Sequence, residues 1–178
     1  LDCMRDADGD GYGSQTVSSA IVSGTDCDDT DATIHPSAAE LCDGQINTCV
    51  GNLPSNETDD DSDGYVECTW DSNGWDGGAA VVGGDDCDDA DSIEFPGQEW
   101  FQDADADSFG GDIAMNSCLK PSGFEVTGGD CDDADPMTYP SASEICDGVV
   151  NDCSGGNLSS NETDNDGDGY VGCVFDTS

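Results

Sequence analysis

Four times along the chain, aspartates fall at alternate positions of a seven-residue segment that ends in an aromatic ring. The segments are Asp6, Asp8, Asp10 and Tyr12; Asp59, Asp61, Asp63 and Tyr65; Asp103, Asp105, Asp107 and Phe109; and Asp164, Asp166, Asp168 and Tyr170. Three carboxylates so close together repel one another unless a cation sits between them, and they converge only if the backbone wraps tightly. The spacing matches positions 1, 3, 5 and 7 of a calcium loop, where three side chains and one backbone carbonyl supply ligands. A glycine follows the third aspartate in three segments (Gly11, Gly64 and Gly169). Ser108 replaces it in the third segment, and the weakest site is expected there, because a residue with Cβ resists the turn. The bidentate Glu of position 12 is missing. Val17, Trp70, Ala114 and Phe175 stand there instead, so other residues must complete each shell.

Nothing else in the composition supplies an ordinary fold. Forty-two acidic residues face only Arg5 and Lys120, a formal charge of −40. Leu, Ile, Val and Phe together make 27 of 178 residues. A chain so charged and so poor in large apolar groups reads as disordered unless something other than a core holds it. Eleven cysteines point to disulfides and an oxidising compartment. The 34 Asp against 8 Glu, beside 24 Gly, point to tight carboxylate-lined loops, since Asp favours turns where Glu favours helices. With no basic patch, neither nucleic acid nor an anionic membrane surface is a partner. No apolar run is long enough to span a bilayer. The chain starts at Leu1 without a signal peptide, which reads as a mature or trimmed segment.

The chain repeats itself. Gly24-Thr-Asp-Cys-Asp-Asp-Thr-Asp31 corresponds to Gly128-Gly-Asp-Cys-Asp-Asp-Ala-Asp135. Both continue through a proline (Pro36, Pro140), a Glu-x-Cys-Asp-Gly run (from Glu40 and Glu144), a second cysteine, and Ser-Asn-Glu-Thr-Asp into the next acidic loop. A shortened copy runs from Gly84 to Glu99. The predicted modules are therefore 1–58, an abbreviated 59–102, 103–163, and the start of a further one at 164–178. The Asp-Cys-Asp-Asp-x-Asp boxes are the natural source of further ligands: Asp26, Asp28, Asp29 and Asp31; Asp86, Asp88, Asp89 and Asp91; Asp130, Asp132, Asp133 and Asp135. Glu40 with Asp43, and Glu144 with Asp147, are expected to complete a second ion site in the larger copies.

Pairing cysteines by position predicts local bridges: Cys3–Cys27, Cys42–Cys49, Cys68–Cys87, Cys118–Cys131 and Cys146–Cys153. Cys173 is left unpaired or intermolecular. Regular secondary structure is expected to be scarce, because no long window keeps a helical apolar period. Short strands are expected at 17–22, 79–82 and 123–127, and single helical turns at 36–41 and 140–145. Trp70, Trp75 and Trp100 are open to three readings, core, an inter-subunit contact or a sugar-stacking surface, with core packing the default. Asn56, Asn157 and Asn161 open glycosylation sequons.

The run from Asp103 to Gly148, with its acidic loop, Cys118, Gly-Gly-Asp-Cys-Asp-Asp-Ala-Asp, Pro140, Glu144 and Cys146-Asp-Gly, resembles the MopE-type metal-binding repeat of bacteria and archaea. That repeat is in turn similar to the thrombospondin type 3 repeat. The resemblance implies small, irregular extracellular modules in tandem, wrapped round calcium ions and stapled by disulfides. The family also carries a copper label. Copper prefers imidazole or sulfur, and the one histidine, His35, aligns with Phe95 and Tyr139 and reads as packing.

The function these readings predict is a secreted, calcium-binding structural protein: a tandem-repeat stalk, adhesin segment or fibre subunit, with calcium and further copies of itself as partners. Two alternatives are a calcium-dependent module that binds carbohydrate or a surface, and a disordered acidic calcium buffer. Catalysis is not expected. No nucleophile–base arrangement or phosphate loop is present, and there is no core in which to build a cleft.

Overall fold

The computed structural model describes residues 6–16 and 24–174. The chain divides into two compact units, Leu1–Pro96 and Gly97–Ser178. Both are small, irregular and rich in disulfides, with few regular elements, as the composition requires.

Buried polar side chains outnumber buried apolar ones. Among the described residues, Ile34, Val66, Trp100, Ala142 and Cys146 are the buried hydrophobic ones, against ten buried polar or charged ones that include Asn47, Asn151, Asp26 and Glu57. Buried polar groups are tolerated only when hydrogen-bonded, and turns supply the donors. In the first unit, Asn47 is fully buried at the centre of the turn 42–49. Its Oδ1 accepts from Leu41 N–H at 2.8 Å, its Nδ2 donates to Asp43 Oδ2 at 3.0 Å, and its own N–H donates to Glu40 Oε2 at 3.1 Å. Asn151 repeats the arrangement in the second unit, accepting from Ile145 N–H and donating to Asp147. A single 3-10 turn, Ser55–Glu57, follows in the first unit, capped by Pro54.

The second unit carries the only sheet among the described residues. Its strands are β1 (Glu99–Gln102), β2 (Ala114–Asn116) and β3 (Phe124–Glu125), in the antiparallel order β2-β1-β3. Trp100 pairs with Met115 and Phe101 with Ala114 on one side; Phe101 also pairs with Glu125 on the other. Trp100 is fully buried, and its Nε1 donates to Ser117 O at 2.9 Å, which satisfies the indole. The sheet matters for function because β1 leads directly into the acidic loop that starts at Asp103.

Several expectations need correction. The strand expected at 123–127 is present as β3. The one at 79–82 is not. That stretch is a turn closed by Val81 N–H to Gly78 O, and Gly83 beyond it makes only an isolated bridge to Tyr65. The strand expected at 17–22 lies outside the described residues. The helical turns expected at 36–41 and 140–145 are β-turns instead. Ala38 N–H bonds His35 O, Ala142 N–H bonds Tyr139 O, and Ser37 and Ser141 sit at φ 70° and 69°. Proline followed by a left-handed residue is the pattern of a type II turn, and a left-handed residue ends any helix.

The disulfides also differ from the predicted pairs. Cys27 bonds Cys49, Cys42 bonds Cys68, Cys131 bonds Cys153, and Cys146 bonds Cys173. Cys173 is therefore neither unpaired nor intermolecular. Cys87 and Cys118 are disulfide-bonded as well; Cys3 lies outside the described residues. The local rule failed because the turn that Asn47 organises projects Cys42 and Cys49 in different directions, one toward the following loop and one back toward the box. Bridges spanning 22 and 26 residues result in the first unit, and their counterparts in the second span 22 and 27.

Candidate metal centres

The acidic loops share one backbone solution. The first aspartate accepts two N–H groups of its own loop. Gly9, Ser62, Ala106 and Gly167 donate to Oδ1 of Asp6, Asp59, Asp103 and Asp164, each at 2.7 Å. Gly11, Gly64, Ser108 and Gly169 donate to Oδ2 of the same residues at 2.9–3.2 Å. The third position uses Oδ1 to accept from the fifth residue's N–H, and the fifth uses Oδ1 to accept from the aromatic seventh. These bonds force positive φ at the fourth residue as well as the sixth. Ser62 (71°), Ala106 (69°) and Ser108 (81°) all hold that conformation against their Cβ atoms. The third loop thus carries two such residues where sequence reading found one.

This geometry turns the remaining oxygens inward. In the first loop the Asp6, Asp8 and Asp10 carboxylates lie within 4.8 Å of one another, as do those of Asp59, Asp61 and Asp63 and of Asp103, Asp105 and Asp107. The box is then laid against its loop by the backbone. The N–H groups of Asp26, Asp86 and Asp130 donate to the carbonyls of Gly13, Val66 and Gly110 at 2.9, 3.0 and 3.0 Å. The third box acid locks the other side, since Ala7, Asp60 and Ala104 donate their N–H to Asp29, Asp89 and Asp133 Oδ1 at 2.8–3.1 Å.

The result is three equivalent trios of carboxylate oxygens that are buried and lack any hydrogen-bond partner. They are the Oδ2 atoms of Asp8, Asp10 and Asp26, of Asp61, Asp63 and Asp86, and of Asp105, Asp107 and Asp130. Asp26, Asp86 and Asp130 are 1%, 7% and 6% exposed. A buried, unpaired carboxylate oxygen is costly, and the same orphan recurring at the same positions of three loops marks a place built for a cation. Burial first, and neighbouring carboxylates after it, raise Asp8, Asp63, Asp86, Asp89, Asp105 and Asp130 above the ordinary aspartate value of 3.8. These residues fit a hard divalent ion, which takes six to eight oxygens.

The structure also sorts the box acids. The first points its free oxygen at the loop and the third tethers the loop. The others close local turns: Asp28 with Thr30, Asp31 with Thr33, Asp88 with Ala90, Asp91 with Ile93, and Asp135 with Met137 and Thr138. Asp132 contributes its N–H to Asp130 Oδ1. Glu40 and Asp43 have their oxygens taken by Asn47, Thr48 and Gln45. Burial pushes Glu40 up, but the Thr48 hydroxyl and the Asn47 and Thr48 N–H groups outweigh it and hold its carboxyl below the usual range. Glu144 and Asp147 bond Asp152, Val149 and Asn151 in the same way. These acids organise their turn through those hydrogen bonds. Sequence reading missed the partners that do this, Asn47, Asn151, Glu57 and Glu162. The Asn-x-Cys spacing before Cys49 and Cys153 was the available signal.

The fourth loop has the same internal hydrogen bonds, but no box lies against it among the described residues, and Tyr170 is 80% exposed. In the other three loops the ring at that position is stacked: Tyr12 on His35 (4.8 Å between centroids), Tyr65 on Phe95 (5.3 Å) and Phe109 on Tyr139 (5.2 Å). His35 is therefore a packing ring, as its alignment suggested. Trp70 stacks on Trp75 at 5.9 Å. Asp26 and Asp130 also lie near Cys27–Cys49 and Cys131–Cys153, but those sulfurs are bonded to each other and offer no thiolate.

Acidic loops closed by an Asp-Cys-Asp-Asp box and pinned by bridges define a disulfide-stapled repeat with candidate metal centres. Three segments, 26–52, 86–99 and 130–157, match the Cu-binding MopE family, which is described as a metal-binding motif. The MopE-type motif thus matches the chain in three places, the middle match being the shortened copy. Each match begins at the aspartate whose free oxygen faces a loop, while the loops themselves lie outside the matched segments. No curated protein and no solved structure matches the chain.

The carboxylates raised by burial set the pH dependence expected of the metal-free fold. Asp8, Asp63, Asp86, Asp89, Asp105, Asp130 and Glu57 all bind a proton more readily folded than unfolded, burial being the largest cause in each. Groups with raised folded pKa stabilise the fold at low pH, and that contribution is lost as pH rises through the folded value. Asp31, Glu40, Asp152 and Asp164 are lowered and oppose this, but they are fewer. The ion-stripped chain should therefore melt at a higher temperature near pH 4, just above the ordinary aspartate value, than at pH 7. With the ion restored the order should reverse, because protons then compete with it for the same oxygens. Identical melting at both pH values without ion would contradict the buried-carboxylate geometry.

Proposed function

We propose that this chain is a secreted, calcium-binding structural protein whose repeats serve as a stalk, adhesin segment or fibre subunit, without catalytic activity. The observation that carries the calcium reading is the three matching trios of buried, unpartnered carboxylate oxygens. Their donors are all hard oxygens, and position 7 of such a loop, here Tyr12, Tyr65 and Phe109, ordinarily adds a backbone carbonyl. Calcium accepts such a set, whereas copper favours imidazole or thiolate. The disulfide-bonded cysteines support an oxidising, extracellular setting. Asn56, Asn157 and Asn161 are all exposed, which leaves them open to glycosylation in that setting.

Crystals grown in calcium test the reading. Anomalous scattering should place an ion among Asp8, Asp10 and Asp26, another among Asp61, Asp63 and Asp86, and a third among Asp105, Asp107 and Asp130, with oxygens about 2.3–2.6 Å away. Ordered water alone at these places, or copper bound at His35 in preference to calcium at the loops, would overturn it.

A further inference from the structure

Resting on the calcium reading, we propose that Glu57 couples the two ion loops of the first unit, so that filling either one raises the affinity of the other. The connection is contiguous. Asp26, which faces the first loop, is followed by Cys27, and Cys27 is bridged to Cys49. Cys49 ends the turn whose interior is the fully buried Asn47, bonded to Glu40, Leu41 and Asp43. Glu57 holds that same turn from the far side. It is 3% exposed, and its Oε2 accepts the N–H groups of Asp43 at 3.3 Å and Gly44 at 2.9 Å. Two residues later comes Asp59, the first acid of the second loop. Cys42 in the turn is bridged to Cys68 just beyond that loop, and Cys68 N–H donates to Asn56 O at 3.1 Å.

No apolar core orders this path, so ordering it has an entropic cost that the first ion meets and the second need not meet again. That is positive coupling. The same device appears in the second unit. Glu162 Oε1 accepts from Asp147 and Gly148 N–H, both at 3.1 Å, Cys146 is bridged to Cys173, and Cys173 N–H donates to Asn161 O at 3.1 Å. Its recurrence with the same partners argues for a built connection. Glu57 has no contact with either set of orphan oxygens, so it is a positioning residue.

Calcium titrations followed by the amide resonances of Gly11 and Gly64 report the two loops separately. Asp61→Asn disables the second loop and should weaken calcium at the first by about fivefold or more, within the usual range of allosteric coupling. Asp8→Asn should weaken the second loop by the same factor, because coupling is reciprocal. Glu57→Ala should abolish both effects, and Glu57→Gln, which keeps an acceptor oxygen, should restore them. The proposal is overturned if Asp61→Asn leaves the first loop unchanged, if the two factors differ, or if coupling survives Glu57→Ala. If Glu57→Ala does not fold, the reciprocal aspartate pair still decides. Calcium bound with equal affinity in every variant refutes the coupling alone; no calcium at either loop refutes the calcium reading with it.

Discussion

Replacing Cys42 and Cys68 together with serine should lower stability by about 3.5 kcal/mol, the loop-entropy value for a bridge of this span, which here is 26 residues. The enclosed segment holds the Glu57 clamp and the whole second acidic loop, and almost none of it is buried apolar surface. Val66 is its one fully buried hydrophobic residue. With so little burial to keep the ends together, the unfolded chain regains nearly all the freedom that the bridge removed. Chemical denaturation in saturating calcium measures the loss. A change below about 1 kcal/mol, smaller than typical disulfide contributions, would show that the turn at Asn47 holds this region without the bridge.

Much of the candidate site was legible in the residues alone. Alternate aspartates ending in an aromatic revealed the loops, and the recurrent Asp-Cys-Asp-Asp box revealed which acids are laid against them. Those signals are local, and a short loop whose aspartates all accept from its own backbone N–H groups leaves few alternatives. The sorting of the box acids was not legible. Asp26 and Asp28 are chemically identical, and only the backbone bond from Asp26 N–H to Gly13 O decides which one faces the loop. The disulfide pairs were misread for a related reason. Proximity in sequence favours Cys42 with Cys49, but a buried asparagine between them turns the two sulfurs apart, and an Asn in a loop looks like ordinary turn chemistry until its burial is known. The helical turns at Pro36 and Pro140 failed because proline starts a type II turn as readily as a helix. Nothing in Ser37 or Ser141 announces a left-handed backbone.

Removal of the ions should have the largest effect of all. Three sites, each held by calcium at about a hundred times its dissociation constant, would together stabilise the native chain by about 8 kcal/mol. That is comparable to the whole stability of an ordinary small domain. Stripping them also leaves nine buried carboxylate oxygens, three to a loop, without a hydrogen-bond partner, on a chain whose formal charge is −40. The bridges alone should then leave a cross-linked but loosened chain.

Thermal unfolding with the disulfides kept oxidised, in calcium and after chelation at fixed ionic strength, therefore tests the account most directly. A fall of tens of degrees on chelation, fully reversed by calcium and accompanied by proteolytic cleavage within the acidic loops, is the predicted result. Unchanged melting and unchanged protease resistance after complete removal of divalent ions would contradict it.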